Sequence, residues 1–262
     1  MQIATRRPQK QLLRFVSNQT YHVVPGGSVG GVENVYLQFR ANSIYDICDG
    51  NNGNGSLNNA STWIPQDSTL YGPSNTEINA EGWDDWKLRF SHFTVIGSKI
   101  SVSYEPFGIA SQTSAVQVPT TVYVNLAGNQ SQIGPGTQMS AINKLPYTKR
   151  ASIVPSQTNS TSSGLLSTSN MGNAGVRLYS FYSAKKFEGI SDVMDNEQLK
   201  GRMLASPSAP DEQAFFTVGL RNTIPSTSPD NKMPQGIMRI RIEYITMLTE
   251  PSSTNQVSAL PQ

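Results

Sequence analysis

The chain has 262 residues and a formal net charge of +2, long enough for one large domain with its own core. Only 37% of residues are hydrophobic and 15% charged, while Gly (21) and Pro (16) are plentiful among many Ser, Thr and Asn, which excludes helical bundles, coiled coils and most α/β enzymes. The lone Cys48 excludes an intrachain disulfide framework and a Cys-based zinc site, and His22 and His92 leave little for His-dependent catalysis. No apolar run approaches the roughly 18 residues of a membrane span, and no apolar h-region follows the basic residues near the N-terminus.

In chain order, the first strand is read at 12–16 and the second at 33–40, where Val35, Leu37 and Phe39 point inward. The connection 45–82 is the longest and holds the run Asp49-Gly50-Asn51-Asn52-Gly53-Asn54-Gly55. Loops of that length are uncommon unless they are functional or packed elsewhere. Residues 94–104 alternate, with Ile96, Ile100, Val102 and Tyr104 on one face and Lys99, Ser101, Ser103 and Glu105 on the other. Residues 118–126 put Val118, Val122, Val124 and Leu126 on one side. Weaker strands follow at 148–154, 176–183 and 214–220, with an exposed loop at 156–175 and a short helix expected at 192–204. The clearest strand is 235–248: Met238, Ile240, Ile242, Tyr244 and Leu248 face a core, while Arg239, Arg241 and Glu243 face water or something charged.

Eight strands with unequal links and no helix–strand alternation predict an all-β fold of two packed antiparallel sheets. A single eight-stranded jelly roll with long inter-strand loops is one way for such a chain to avoid open edges. Motifs that suggest chemistry do not fit their required settings. Gly26-Gly27-Ser28-Val29-Gly30 matches a nucleophile elbow, but a strand follows where a helix is needed. The 49–55 run lacks the alternating carboxylates and terminal Glu of a calcium loop. His92 reads as a packed or hydrogen-bonded residue and Cys48 as an ordinary small one. No enzyme activity, metal or cofactor is expected.

The segment Gly82-Trp83-Asp84-Asp85-Trp86-Lys87-Leu88-Arg89-Phe90-Ser91-His92-Phe93-Thr94-Val95-Ile96-Gly97-Ser98-Lys99-Ile100-Ser101-Val102 resembles the fourth jelly-roll strand, and its lead-in, of capsid proteins from small circular, Rep-encoding single-stranded DNA viruses, the circovirus-like group. Pro146-Tyr147-Thr148-Lys149-Arg150 and Tyr179-Ser180-Phe181-Tyr182-Ser183-Ala184-Lys185-Lys186-Phe187-Glu188-Gly189 are similar to later strands of that family. Pro210 before Phe215 and Phe216, and a terminal Arg-Ile-x-Tyr strand ending in Glu250-Pro251, continue the series in order. Physically, Gly97 permits a bulge in the strand, and Trp83 and Trp86 can anchor the loop before it.

The resemblance implies a short basic arm (1–14), a jelly-roll capsid domain (15–251) and a C-terminal tail (252–262). It implies self-assembly of roughly sixty copies into a closed, T=1-like icosahedral shell. The other implied partners are a circular single-stranded DNA genome and a host-cell surface receptor or glycan. The implied location is the virion, with assembly in the host nucleus or cytoplasm. In the family's arrangement, loops at 25–31, 106–117, 156–175 and 222–234 would gather at the five-fold axis.

Charge is unevenly spread. Residues 1–14 carry Arg6, Arg7, Lys10 and Arg14 without an acid, and residues 144–186 carry Lys144, Lys149, Arg150, Arg177, Lys185 and Lys186 without one. Acids concentrate between, from Asp46 to Glu105. The expected nucleic-acid-binding residues are Arg6, Arg7, Lys10, Arg14, Lys149 and Arg150, acting through sequence-independent phosphate contacts. The arm departs from the family's long arginine-rich ones. That leaves three sources for the missing neutralisation: mobile counterions, inward-facing strand residues, or a longer arm outside this sequence. Three other readings remain: a positive-strand RNA virus coat protein, a carbohydrate-binding jelly-roll module, and a hydrolase using Ser28.

Overall fold

The computed structural model describes residues 9–24, 34–48, 63–65, 78–106, 119–128, 133, 137–153, 175–190, 192–194, 196–204, 206–223 and 233–252. The 26–30 turn, the 49–55 run, Arg6, Arg7 and most of the four loops expected at the five-fold axis lie outside the described residues. The strands are β1 (Lys10–Val23), β2 (Asn34–Arg40), β3 (Trp63–Pro65), β4 (Phe90–Pro106), β5 (Thr120–Ala127), β6 (Thr148–Ile153), β7 (Val176–Ser183), β8 (Lys200–Arg202), β9 (Phe215–Asn222) and β10 (Gly236–Pro251). Among the described residues, three short helices, α1 (Trp83–Lys87), α2 (Met139–Lys144) and α3 (Ala184–Phe187), sit in the connections.

One sheet runs β3-β1-β10-β4-β7, with β8 pairing the far end of β4; the other runs β2-β9-β5-β6. Every pairing between these strands is antiparallel. Without the two three-residue strands, four strands face four: β1-β10-β4-β7 against β2-β9-β5-β6. The chain crosses between the sheets repeatedly instead of completing one first, so sequence neighbours mostly face each other across the core. That is the jelly roll. All eight strands read from the sequence are present.

The core is built from the inner phase of each strand. Phe15, Tyr21 and Val23 of β1, Ile100, Val102 and Tyr104 of β4, and Met238, Ile240, Ile242 and Tyr244 of β10 meet Val35, Leu37 and Phe39 of β2. Val122, Val124 and Leu126 of β5 and Phe216, Val218 and Leu220 of β9 complete the opposite layer. Each such side chain contributes about 1.5–3 kcal/mol by leaving water. Tyr244 is fully buried, yet its hydroxyl donates to the Arg40 carbonyl at 2.9 Å, so the core carries its polar atom without loss.

The register of β4 differs from its expected phase in one place. Ile245 of β10 pairs with Gly97 and Thr246 pairs with Val95, so Ile96 is an extra, bulged residue. Phe93 and Val95 therefore face the core ahead of the bulge, while Ile96 does not share the buried phase of Ile100, Val102 and Tyr104. The bulge also marks a change of neighbour. Residues His92–Thr94 pair with β8, and Gly97–Tyr104 pair with β7.

The helix expected at 192–204 is replaced by a single 3-10 turn, Glu197–Leu199, followed by β8. Asn196 caps the turn by accepting from the Gln198 amide at 2.9 Å. Strand pairing prevails because Gly201 lies on the Phe93 ring so closely that a Cβ would come within 2.2 Å of it. Likewise, β1 begins at Lys10, so the last part of the expected 1–14 arm is paired strand, with Lys10 opposite Thr249 and Arg14 opposite Ile245. Pieces of the long 45–82 connection pack back on the sandwich. β3 pairs with β1, and Ile47 donates its amide to Ile78 at 2.7 Å. The anchoring role read for Trp83 is visible: it is buried, edge-on to Phe93 and stacked near Tyr45.

Candidate nucleic-acid interface

Alternation along β1, β10, β4 and β7 leaves a second set of side chains on the outer face of the larger sheet. Register places them side by side. Arg177, Tyr179 and Phe181 of β7 lie opposite Ser103, Ser101 and Lys99 of β4. Those in turn lie opposite Arg239, Arg241 and Glu243 of β10. Beyond β10 stand Thr20, Asn18 and Val16 of β1, with Arg14 one pair further along.

The two serines are short, so they floor an open trough of about 310 Å³ that extends from Arg177 and Tyr179 across Arg239 and Arg241 to Asn18 and Thr20. Three strand spacings separate its two sides, about 14 Å. Tyr179 and Phe181 are 44% and 64% exposed, unusual for aromatics on a β-strand, and the Lys99 ammonium lies 5.2 Å and 5.7 Å from their ring centres. Such a cation over two rings adds attraction and holds them in place.

This face is positively charged. Around the trough, Arg14, Lys99, Arg177, Arg239 and Arg241 are five cations against three carboxylates, Glu105, Glu243 and Glu81, the last accepting from Asn18 at 2.8 Å, a surplus of two. Glu105 pairs with Arg239 at 2.6 Å, and Glu243 receives Arg14 at 2.7 Å and Arg241 at 2.9 Å. The Arg239 hydrogen bond holds the Glu105 carboxyl below the usual range. Partial desolvation pushes Glu243 up, but the hydrogen bonds and charges of Arg14 and Arg241 outweigh it, and its carboxyl also ends low. Both acids thus stay ionised and fix the arginine side chains. Among the described residues, Lys99 and Arg177 form no ion pair.

Over β2, β9 and β5 the outer face of the other sheet is covered. Every residue of β2, β5 and β9 is buried, in both phases. Tyr36 and Tyr123 of that face pack under Ile142 of α2 and Ile133. Several of its polar groups are bonded locally: the Tyr123 hydroxyl donates to Asn34 at 2.8 Å, Gln38 donates to Thr217 at 3.1 Å, and Asn125 donates to the Pro146 carbonyl at 2.9 Å, while Nε and Nη1 of the buried Arg221 and Oδ1 of Asn125 find no hydrogen bond among the described residues. Burial pushes the Tyr123 hydroxyl far above its ordinary pKa.

The residues expected to bind nucleic acid are therefore divided. Lys10 and Arg14 stand on the outer face of the larger sheet. Lys149 and Arg150 are exposed on β6, the edge of the smaller sheet, and as successive strand residues they point to opposite sides. Lys185 and Lys186 are exposed on α3, whose Phe187 meets Tyr147 from the turn before β6, ring centres 5.7 Å apart. Sequence reasoning missed the combination of Lys99, Tyr179, Phe181 and the β10 arginines. The outward phases of β4 and β10 were readable one strand at a time. Their adjacency comes from a pairing between strands more than a hundred residues apart.

Among the described residues no His, Cys, Asp and Glu group has the makings of a metal site, and no helix is long and apolar enough to cross a membrane. His92 is hydrogen-bonded to Glu250 at 3.0 Å, and Cys48 is buried and not in a disulfide.

No protein-family model and no curated protein sequence matches the chain. Among solved structures it is similar to Desmodium yellow mottle tymovirus, at 9% identity over 96% of this chain and 94% of that one, with a TM-score of 0.37. It is similar to the 60-mer BFDV capsid protein at 10% identity over 96% and 98%, TM-score 0.37. A third is Cucumber Necrosis Virus, at 12% identity over 93% of this chain and 58% of that one, TM-score 0.37. The fold assignment itself stands on the strand order.

Proposed function

We propose that this chain is a viral coat protein whose copies close into a small icosahedral shell around a circular single-stranded DNA genome. The observation that carries the reading is the strand order, β1-β10-β4-β7 against β2-β9-β5-β6, taken with the ordered series of capsid-like motifs from Gly82 to Pro251. The role is structural, not catalytic: strand faces make each subunit's core and the remaining surfaces make contacts between subunits.

An exposed apolar patch suits that role. Leu12 and Ile245 are each more than half exposed, and Leu12 lies opposite Met247, so the three form a group at one end of the larger sheet's outer face. Clustered apolar side chains on an otherwise polar surface mark contact sites. The basic residues expected for packaging, from Arg6 to Arg14 and at Lys149 and Arg150, supply counterion-releasing phosphate contacts. Surface loops would meet the host receptor or glycan.

Assembly is tested by sedimentation and negative-stain microscopy of the purified chain across salt and pH. Uniform closed particles are expected, and a chain that stays monomeric under all conditions overturns the reading. Nuclease digestion of nucleic acid extracted from particles made in infected tissue decides its chemistry. Sensitivity to DNase and single-strand nuclease is expected, whereas RNase sensitivity moves the protein to the RNA-virus alternative.

A further inference from the structure

We infer that the trough on the outer face of the larger sheet is a binding platform for single-stranded nucleic acid, with Tyr179 and Phe181 stacking on bases and Lys99, Arg177, Arg239 and Arg241 holding the phosphate backbone. This deepens the packaging reading and rests on it for its biological setting. It assigns the contact to residues that neither the basic arm nor β6 supplies.

Three features converge. The first is shape. The trough is an open hollow lined by two successive outward positions on each of four strands, from Arg177 and Tyr179 across Ser101 and Ser103 to Arg239, Arg241, Asn18 and Thr20, with Phe181 and Lys99 one pair beyond its end. The second is the pair of exposed rings. Tyr179 and Phe181 are two residues apart on one strand, about 7 Å, on the same face, and so present two successive stacking surfaces along one wall. A paired duplex hides its bases within its own stack and has nothing to offer these rings. Unpaired bases do, and every base has a π face, so binding is sequence-tolerant.

The third feature is charge. The surplus of two positive charges is spread over the four strands that line and flank the trough. Glu105 and Glu243 anchor Arg239, Arg241 and Arg14 but leave each guanidinium with further N–H donors for phosphate oxygens. The Lys99 ammonium lies over the two rings, 5.2 Å and 5.7 Å from their centres, and so sets a cation at the stacking sites. A sulfated glycan could offer the rings only sugar C–H faces, whereas unpaired bases offer flat π faces that stack on both. The rings therefore favour nucleic acid as the occupant.

The test is fluorescence anisotropy of the full chain with a labelled oligo-dT of about twenty nucleotides, the matching duplex and heparin, over a salt series. The single strand should bind more tightly than the duplex, with a log–log salt slope of roughly −2 for about three neutralised phosphates. The double variant Tyr179→Ala/Phe181→Ala should weaken oligo-dT binding about 10-fold or more and leave duplex and heparin binding unchanged. Phe181→Trp should retain affinity and show indole quenching on titration with oligo-dT. Particle formation and the 260/280 nm absorbance ratio of particles are measured on the same proteins. Absence of particles from the parent chain counts against the coat-protein reading. Particles whose nucleic-acid content and oligo-dT affinity are untouched by the double variant overturn the platform alone. Equal loss of heparin binding in that variant, or preference for duplex, overturns it too.

Discussion

With the three-residue β3 and β8 set aside, the two sheets of this sandwich have four strands each and the same antiparallel pairing, yet their outer faces have opposite fates. On β1-β10-β4-β7 the outer face is wet, positively charged and carries exposed rings. On β2-β9-β5 it lies under α2 and Ile133, with Tyr36 and Tyr123 packed as tightly as core residues. The inner faces are alike in being apolar. What distinguishes the sheets is whether a connection folds back over them. A covered face works for stability, and an open one is available for contact.

That contrast is sharpest for aromatic truncations. Tyr123→Ala on the covered face should cost about 3–5 kcal/mol, seen as a lowered urea midpoint, because it opens a cavity and removes the hydrogen bond to Asn34. Gly219→Ala comes next. A Cβ there would meet the Tyr123 hydroxyl at 2.4 Å in a place with no room to yield, so about 1–3 kcal/mol of destabilisation is expected by the same measurement.

Acid should act on the open face and much less on the covered one. Glu105 and Glu243 have folded pKa values below the ordinary 4.5, so the stability they contribute is complete above that pH and fades as pH falls below it. A stability–pH profile for Glu105→Gln should lack part of that acid slope. The smallest effect is expected for Phe181→Ala, within about 0.5 kcal/mol of the parent chain. A large loss there would mean the ring is structural, and the distinction between the faces would fail.

The same contrast explains what could be read in advance. In β4 and β10 one phase is apolar and the other polar, because only one face is buried, and the pattern of Ile100, Val102 and Tyr104 against Lys99, Ser101 and Ser103 shows it directly. β5 also revealed its inner residues Val122, Val124 and Leu126. Its other phase, with Tyr123 and Asn125, gives no hint of burial, since the covering helix lies at 139–144 and has no strong periodicity. In β7 aromatics occupy both phases. Tyr182 goes inward, its hydroxyl donating to Glu188 at 3.1 Å, while Tyr179 and Phe181 go out. Composition alone could not sort them. The 192–204 segment was misread because local propensity carries no information about the edge of β4 that it pairs with.

One added residue in β4 has a consequence out of proportion to its size. Side chains in a strand change sides at every step, so Ile96 resets the count for everything after it. Counting two by two from Phe93 and Val95 would send Gly97, Lys99, Ser101 and Ser103 into the oily interior and turn Ile100, Val102 and Tyr104 out. The strand is two reading frames spliced at Ile96, and the splice keeps the ammonium of Lys99 in water beside its two rings. A chain shortened by that residue could retain its architecture only by sliding half a strand against both neighbours.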